Sequence, residues 1–476
     1  MNQNHSRRGF LRRLTAMGSL RPLSSLQAAA PFGTQLAALA AMAAQPGHAA
    51  TTGGGYKALV CVFLHGGSDM HNWIVPVDTD GYAEYARARG DLAWPKAKLR
   101  PLSSTSQAEG RAFAMPQEIA PLAKWYEAGK AAVIANVGPL SRPISKSEYS
   151  AGIGVPKKLF SHNDQASTWQ SLAPEGASSG WGGRMADLLA TANGYPVFTA
   201  TSAAGNTVFL TGHSVTQFQV APEGAAIING LAATNIFGSN RAPGALQKAL
   251  ASSGPDLIQR EYSRILQRSI SANSVLQLAM NSAAAPEIPA TAVLNGTAET
   301  TLNQTNLAMQ LRTVAQMIAA NQRLGMRRQV FFVSMGGFDT HADQMRIQPG
   351  QMQQVAHSID YFLSAMESLG MLDAVTLFTA SDFGRTLLSN GDGSDHGWGS
   401  HHFVAGGGVK GRRIYGDFPI PALGTSTDIG SGRLLPTTAV SQMAASMGSW
   451  LGLSSAELKF VLPDLAQFGP PPNFMI

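Results

Sequence analysis

The sequence predicts an α/β fold with three layers, in which helices cover both faces of a mainly parallel sheet. Short, continuous apolar runs, typical of strands buried on both faces, alternate along the chain with amphipathic stretches of helical spacing. The first apolar run spans residues 58–64 and ends before two glycines. The second, residues 131–137, follows an amphipathic stretch over 119–128 that stops at Gly129. This alternation is typical of parallel sheets whose strands are joined by helices.

The same alternation continues in the C-terminal half. We predict a helix over residues 303–324, followed by a strand over 329–334. A second helix, residues 351–369, precedes a strand over 375–381. Between the two halves, residues 196–302 break the pattern with short alternating pieces, helical stretches and a loop rich in Pro, Ala and Thr. This middle region is expected to be an insertion or cap.

Residues 1–50 resemble a twin-arginine export signal. Arg7 and Arg8 precede an apolar pair, and an alanine-rich, weakly apolar stretch then ends in small residues near position 50. Three prolines exclude a continuous basic amphipathic helix, and the apolar run 36–44 is far shorter than the ~20 residues of a bilayer span. We expect passage through the twin-arginine translocase and a periplasmic or extracellular mature domain, residues 51–476, with no stable membrane span.

The charge of the chain is concentrated in that signal. The formal net charge is +6, yet five arginines and no acidic residue lie in the first fifty positions. The mature domain is then near +1, six minus five, so nucleic acid is not an expected partner. The single cysteine, Cys61, falls within the first apolar run and is expected to be a buried structural residue.

Residues with metal-binding side chains follow three of the predicted strands. Ligands bind at the carboxyl ends of strands in parallel sheets, and a glycine-rich segment, residues 391–402, adds three histidines within seven positions. The candidate metal ligands are Asp69, Asp339, His341, Asp382, His396, His401 and His402. Taken singly, each aspartate could also cap a helix and each histidine could have a structural role. Taken together, the residues indicate a site for a divalent metal. These side chains suit zinc or manganese, and a more oxygen-rich site would suit magnesium or calcium.

Five short motifs give the chain a wider resemblance. They are GGSD at 66–69, GWGGR at 180–184, GFDTH at 337–341, SDFGRT at 381–386 and DHG at 395–397. Through them the chain resembles, over nearly the whole mature domain, the exported bacterial family named domain of unknown function 1501. The fold of that family is related to the alkaline phosphatase and sulfatase superfamily. The resemblance therefore implies the same α/β sandwich with a metal site.

The resemblance also implies roles for individual residues. In the superfamily, aspartates and histidines from several strand ends hold one or two metal ions around a nucleophile. Carried over by position, the implied ligands are Asp69, the pair Asp339 and His341, Asp382, and His401 or His402. Phe383 departs from the pattern, because the superfamily usually has a histidine there. Either His396 folds back to supply that imidazole, or one metal position is incomplete.

The nucleophile implied by the resemblance is Ser161, at the start of a helix. With Asp164 three positions later, the same serine is also an ordinary helix N-cap. If Ser161 is catalytic, Arg184 or Arg385 would hold the oxygens of a phosphate or sulfate group. The implied activity is hydrolysis of a small-molecule or polymer ester of phosphate or sulfate. The alternative is a non-catalytic exported protein of the same fold that serves in surface assembly or polymer binding.

Overall fold

A nine-stranded central sheet dominates the computed structural model, which describes residues 55–224, 234–251 and 256–476. In chain order the strands are β1 Lys57–Leu64, β2 Val75–Pro76, β3 Leu99–Pro101, β4 Phe113–Pro116, β5 Ala131–Gly138, β6 Ala200–Ser202, β7 Phe218–Gln219, β8 Ala292–Asn295, β9 Ala298–Thr301, β10 Arg328–Met335, β11 Val375–Ser381, β12 Arg385–Ser389, β13 Ser394–His396, β14 Ser400–Gly406, β15 Ile414–Tyr415 and β16 Thr438–Ala439. The α-helices are α1 Thr79–Arg89, α2 Ala120–Glu127, α3 Lys146–Ser150, α4 His162–Ser171, α5 Trp181–Leu189, α6 Ala242–Ala251, α7 Leu257–Asn281, α8 Asn306–Ala319, α9 Gln344–Ser368, α10 Val440–Leu451 and α11 Ser455–Val461. The expected export signal, residues 1–50, lies outside the described residues.

The order of the central sheet is β15-β5-β14-β11-β1-β10-β6-β7, with β16 also paired to β5. All of these pairings are parallel except the two that β14 makes with β5 and β11. Within the described part of the chain, β14 therefore runs against eight strands that share one direction. The prediction of a mainly parallel sheet is confirmed.

Helices cover both faces of this sheet. Successive side chains of a strand point to opposite faces, and in β1 Val60 and Val62 join one buried core while Cys61 and Phe63 join the other. The first core includes residues of α2, α8 and α9, and the second includes residues of α5, α10 and α11. Each fully buried side chain of this kind contributes about 1.5–3 kcal/mol. Three layers result, as predicted, and Cys61 is a buried core residue.

The carboxyl ends of three strands lie side by side at one edge of the sheet. Strand β1 runs between β10 and β11, and Leu64 pairs with both Met335 and Ser381. Neighbouring strands are about 5 Å apart, so the loops that follow β10 and β11 begin about 10 Å apart, on either side of β1. Side chains in these loops can therefore meet above the end of β1.

Helix α9 begins at Gln344, before the predicted start at residue 351. Pro349 lies inside the helix, although proline has no backbone N–H and usually ends a helix. In the structure the turn before Pro349 is held by tertiary contacts. Gln344 and Gln348 are buried, and both donate hydrogen bonds to Asp69. These contacts outweigh the local preference.

The predicted insertion over residues 196–302 divides into two parts. Its first part supplies β6 and β7, which belong to the central sheet. After Gln219 the chain leaves the sheet to form α6, α7 and the hairpin of β8 and β9. The hairpin is tied to α9, where Gln354 Nε2 donates to the Leu294 carbonyl at 2.9 Å. Across the described ranges, no helix has the length and apolar character needed to cross a membrane.

Candidate metal centre

Asp339, in the loop after β10, lies at the centre of a cluster of imidazoles. Its Oδ1 atom is 3.1 Å from His341 Nε2 and 3.4 Å from His396 Nε2. Its Oδ2 atom is 3.4 Å from His162 Nε2. Ligand atoms of His162, Asp339 and His396 all lie within 4.8 Å of one another. Four side chains from three distant parts of the chain therefore meet at the carboxyl edge of the sheet.

Each of the three imidazoles is held in place by its other nitrogen. The anchoring contacts are His341 Nδ1 to Asp395 Oδ1 at 3.1 Å, His162 Nδ1 to Asp382 Oδ2 at 2.7 Å, and His396 Nδ1 to the Phe160 carbonyl oxygen at 2.8 Å. Carboxylate and carbonyl oxygens accept hydrogen bonds, so each Nδ1 carries the proton and donates. A neutral imidazole then presents an unprotonated Nε2 atom to the centre. An oxygen behind the ring in this way is the usual support of a metal-binding histidine.

Lone pairs of nitrogen and oxygen atoms converge at the centre of this cluster. His341 and His396 face each other with their Nε2 atoms 2.8 Å apart, and two lone pairs at that distance repel unless a proton or a metal ion lies between them. His162 Nε2 and Asp382 Oδ1 are buried atoms without a hydrogen bond to any described residue. Such atoms are costly to bury, so they too fit a shared cation. Imidazoles with carboxylates match the ligand preferences of zinc and manganese.

The surroundings of the cluster favour the metal-binding forms of Asp339 and His396, whereas Asp382 favours the protonated form of His162. Burial raises the pKa of Asp339, but the hydrogen bond and charge of Arg385, with the nearby His162, lower that pKa below its ordinary value on balance. Burial lowers the pKa of His396. The hydrogen bond with Asp382 raises the pKa of His162. Asp339 is therefore ionised and His396 neutral near pH 7, as metal ligation requires.

Two histidines of this site are missing from the sequence-based candidates. His162 begins α4, and the sequence analysis selected its neighbour Ser161 instead. His65 follows β1 directly, with its Nδ1 atom 4.0 Å from Asp382 Oδ1 and its side chain 47% exposed. Since His65 stands at the carboxyl end of a predicted strand, the rule that selected the aspartates applies to it as well. No comparable signal in the sequence marks His162.

The structure does not bring Asp69 into the cluster, which corrects its assignment as a ligand. Its carboxylate is fully buried, and Oδ2 accepts hydrogen bonds from Arg89 and Gln344. Arg89 is also fully buried and donates to the carbonyls of Thr386 and Leu387 at 3.0 and 3.2 Å. Asp69 therefore belongs to a buried ion pair beneath the site, where Arg89 provides the positive charge that a metal would otherwise supply.

His401 and His402 are also absent from the cluster, because both lie within β14 and point to opposite faces of the sheet. The His401 ring stacks on Phe418 with centroids 4.0 Å apart, and its Nδ1 accepts from the Asn136 backbone N–H at 3.1 Å. The His402 ring meets Trp169 edge-on at 4.7 Å. Burial lowers the pKa of His402 to about 3 and that of His401 well below its ordinary value. Both are neutral core residues rather than ligands.

The hydroxyl of Ser161 is engaged at the start of α4. Its Oγ atom donates to Asp164 Oδ2 at 2.8 Å, and Asp164 is itself buried and accepts from the Glu175 backbone N–H at 3.3 Å. This is a local contact of the helix N-terminus rather than a contact with the imidazoles. The geometry therefore does not support Ser161 as a nucleophile; the residue from this turn that reaches the cluster is His162.

The two arginines expected to hold substrate oxygens donate their hydrogen bonds to other groups of the protein. Arg385 is fully buried and donates to the carbonyls of Gly67 and Gly66 at 2.8 and 2.9 Å, and to Asp339. Arg184 is also buried, and its Nε atom donates to the Val461 carbonyl at 2.8 Å. Arg385 orients the central carboxylate, whereas Arg184 is structural.

Arg433 is an arginine that borders the site and that the sequence analysis did not select. Its Nε atom donates to the His396 carbonyl at 2.8 Å, and its guanidinium lies 5.3 Å from the centroid of the Phe160 ring. The loop that carries it is fixed by Asp428, whose Oδ1 accepts from the Gly432 backbone N–H at 2.8 Å. Arg433 is half-buried, so part of the guanidinium remains open to solvent.

The hairpin of β12 and β13 places His396 beside Phe383. His396 pairs with Arg385 across the hairpin, and the Phe383 ring lies 4.6 Å from the His396 ring and 4.8 Å from the His162 ring, between centroids. Gly67 permits this packing, because a Cβ atom there would lie 2.3 Å from the Phe383 ring. An imidazole from the hairpin thus reaches the position that Phe383 leaves without one.

The fold and the cluster define the class of this protein. It is a three-layer α/β protein with a His/Asp cluster at the carboxyl edge of its sheet. Residues 56–462 match the family described as a protein of unknown function, DUF1501, and the chain belongs to that family. No curated protein matches the chain. The crystal structure of Ps i-CgsB is similar with 10% identity and a TM-score of 0.33, over 88% of this chain and 78% of that chain. The PsFucS1 sulfatase from Pseudoalteromonas sp. is similar with 8% identity and a TM-score of 0.32, over 94% and 78%.

Proposed function

We propose that this protein is an exported, metal-dependent hydrolase of phosphate or sulfate esters. The observation that carries the proposal is the orientation of three imidazoles, whose anchored Nδ1 atoms leave their Nε2 atoms directed at Asp339. His162, His341, His396 and Asp339 would hold a divalent ion, zinc or manganese from the chemistry of the donors. Such an ion supplies Lewis acidity toward an ester oxygen and offsets the negative charge of the substrate.

The site is open enough for a substrate to enter. The side chains of Asp339 and His341 are 45% and 44% exposed, although Asp382 behind them is only 4% exposed. Phosphate and sulfate esters carry negative oxygens, and the guanidinium of Arg433 beside the cluster is positioned to donate hydrogen bonds to them. This arrangement supports anionic esters rather than neutral ones as substrates.

Water is the proposed attacking group, because the hydroxyl of Ser161 donates a hydrogen bond to Asp164. In the reaction the water oxygen bonds to phosphorus or sulfur, the ester bond to the leaving oxygen breaks, and the leaving oxygen takes up a proton from solvent. His65, half exposed and next to Asp382, is placed to accept the proton that the water loses. The products are an alcohol and inorganic phosphate or sulfate.

Elemental analysis of protein purified without chelators, combined with a panel of phosphate and sulfate esters, tests the proposal. We expect about one zinc or manganese ion per chain, lost together with turnover in His162→Ala. His357→Ala is the matched control, since His357 lies on α9 outside the cluster, and it should retain both. A metal-free wild-type protein, or turnover that persists in His162→Ala, would contradict the proposal.

A non-catalytic role in surface assembly or polymer binding is the second candidate. It is favoured by the ion pair between Asp69 and Arg89, which removes one of the ligands implied by the resemblance, and by Phe383, which replaces another. The two candidates differ in one measurement. A stoichiometrically bound metal without turnover of any ester in the panel would select the non-catalytic role.

The export proposal rests on residues 1–50 and has its own test. We expect Arg7→Lys combined with Arg8→Lys to retain the precursor in the cytoplasm, since the twin-arginine pair is the feature that the translocase recognises. N-terminal sequencing of the exported wild-type protein should give a start near residue 50. A mature protein that starts at Met1 would contradict cleavage.

A further inference from the structure

Helix α7, Leu257–Asn281, is anchored to the body of the protein near its C-terminal end. It has 25 residues and its buried residues are Leu276, Ala279 and Met280, so it is about 37 Å long with its core contacts in the last two turns. Leu276 and Met280 join the buried core that also contains Leu307 of the following helix region. Most of α7 therefore lies outside the core.

An apolar stripe runs along the part of α7 that lies outside the core. Ile258, Tyr262 and Ile265 are 82%, 68% and 52% exposed, and their spacing of four and three residues places them on one face of the helix. Seven residues after Ile265 the same face carries Ala272, which is partly buried, and four residues later Leu276, which is fully buried. The face that packs into the core at one end of the helix is thus uncovered at the other end.

Exposed apolar side chains are concentrated in this region of the molecule. Thirteen large apolar side chains are exposed among the described residues, and six of them lie between positions 237 and 278. Phe237, in the turn before α6, is completely exposed. Single exposed apolar residues are ordinary, but the row of Ile258, Tyr262 and Ile265 on one helix face marks an interaction surface.

The same region carries an excess of positive charge. Across the described residues from 234 to 281 there are five basic and two acidic side chains. Arg260, Arg264 and Arg268 recur every four residues along α7, and Glu261 pairs with Arg264 at 3.4 Å and with Arg268 at 3.1 Å. Within the described part of the chain Arg260 forms no ion pair. Apolar and basic side chains thus occupy one helix that the protein core leaves largely uncovered.

We propose that α7 binds reversibly to an anionic phospholipid surface. Ile258, Tyr262 and Ile265 enter the boundary between headgroups and acyl chains, and the arginines contact lipid phosphates. A second copy of this chain is a poor occupant, because it would bring a region with the same excess of positive charge against this one. The proposal is independent of the proposed hydrolase activity.

Cosedimentation of the full chain with vesicles tests the proposal. We expect binding to vesicles of equal parts phosphatidylcholine and phosphatidylglycerol, weakened by salt, and no binding to phosphatidylcholine alone. Ile258→Ser with Tyr262→Ser should abolish binding. Arg260→Gln with Arg264→Gln should weaken it by about fivefold for each charge removed. Every variant keeps the same N-terminal segment, so differences among them report on α7.

The matched control is Ile420→Ser with Leu423→Ser, two apolar residues that are 55% and 45% exposed outside this region, and it should bind like wild type. Equal binding by all variants would overturn the proposal, as would failure of the wild-type chain to bind the anionic vesicles. Oligomers that dissociate in the Ile258→Ser, Tyr262→Ser variant would assign the stripe to a second copy and would also overturn it. If α7 binds an acidic protein and the chain does not bind vesicles, the proposal would also be overturned.

Discussion

Asp395 Oδ1 accepts a hydrogen bond from His341 Nδ1 at 3.1 Å, while the same imidazole directs Nε2 toward Asp339 at 3.1 Å. The carboxylate therefore fixes both the tautomer and the orientation of the ring. Asn390 Nδ2 donates to the same oxygen of Asp395 at 2.9 Å, so the carboxylate is itself held in place. The geometry of the cluster depends on a residue that would not touch the metal.

We predict that Asp395→Asn lowers metal affinity by roughly 10–100-fold, the usual cost of losing the support behind a metal-binding histidine. The fold should be retained, because Asp395 is 47% exposed. Competition with a chelating indicator dye measures the affinity. Asp392→Asn, an exposed carboxylate of the same hairpin, is the control and should bind metal like wild type. Equal affinities for the two variants would show that Asp395 does not support a ligand.

For the ion pair between Asp69 and Arg89 we predict the opposite result: a loss of stability with metal binding retained. Asp69→Asn should destabilise the fold by about 3–5 kcal/mol, because it leaves a buried guanidinium without its counter-charge, and it should leave metal content unchanged. Urea unfolding and elemental analysis measure the two quantities. Arg87→Ala, which removes an exposed pair with Glu84, should cost at most about 1 kcal/mol. Metal loss at unchanged stability would instead restore Asp69 as a ligand.

Buried neutral histidines should make the protein sensitive to acid. Burial lowers the pKa of His402 to about 3 and that of His71 to about 4, from 6.5. Between these pKa values and pH 6.5, these two histidines bind more protons in the unfolded chain than in the folded chain. Their contribution to stability is therefore complete above about pH 6.5 and is lost as the pH falls. The loss is up to about 1.4 kcal/mol per pH unit for each histidine.

His402→Met tests this explanation, because methionine fills a similar space and does not titrate. Between about pH 7 and about pH 5, urea unfolding should show a loss of stability that is smaller than in wild type by about 2 kcal/mol in total, or about 1 kcal/mol per pH unit. His213→Gln alters an exposed histidine and should leave the slope unchanged. A wild-type slope in His402→Met would rule out His402 as a source of the acid sensitivity.

Elements with strong local signals were predictable from the sequence. The strand predicted over residues 375–381 is β11 to the residue. The strand predicted over 131–137 is one residue shorter than β5 at one end, and that over 329–334 is one residue shorter than β10 at each end. Continuous apolar runs are long enough to define buried strands. The start of α9 was not predictable, because Pro349 argues locally against the helix and the opposing contacts to Asp69 are tertiary.

Asp339, His341 and His396, which the structure brings together, could be selected from the sequence because they lie in short motifs near strand ends. His162 was not selected, and Asp69 was expected to be a ligand, because the partner of each is more than fifteen residues away in sequence: Asp382 for His162, and Arg89 for Asp69. The sequence places Asp69 after a predicted strand but gives His162 no position relative to the sheet. The direction in which each side chain points depends on packing that no local pattern encodes.

The last prediction concerns Ser161, where the resemblance and the geometry disagree. The Ser161 hydroxyl donates to the Asp164 side chain and caps no backbone N–H of α4. Ser161→Ala should therefore cost about 1 kcal/mol of stability, the usual net contribution of one hydrogen bond, and should leave metal content and turnover intact. Steady-state kinetics on the best ester of the panel, with thermal unfolding, measure both effects. Abolished turnover at full metal content would identify Ser161 as the nucleophile that the resemblance implies and would replace water as the attacking group.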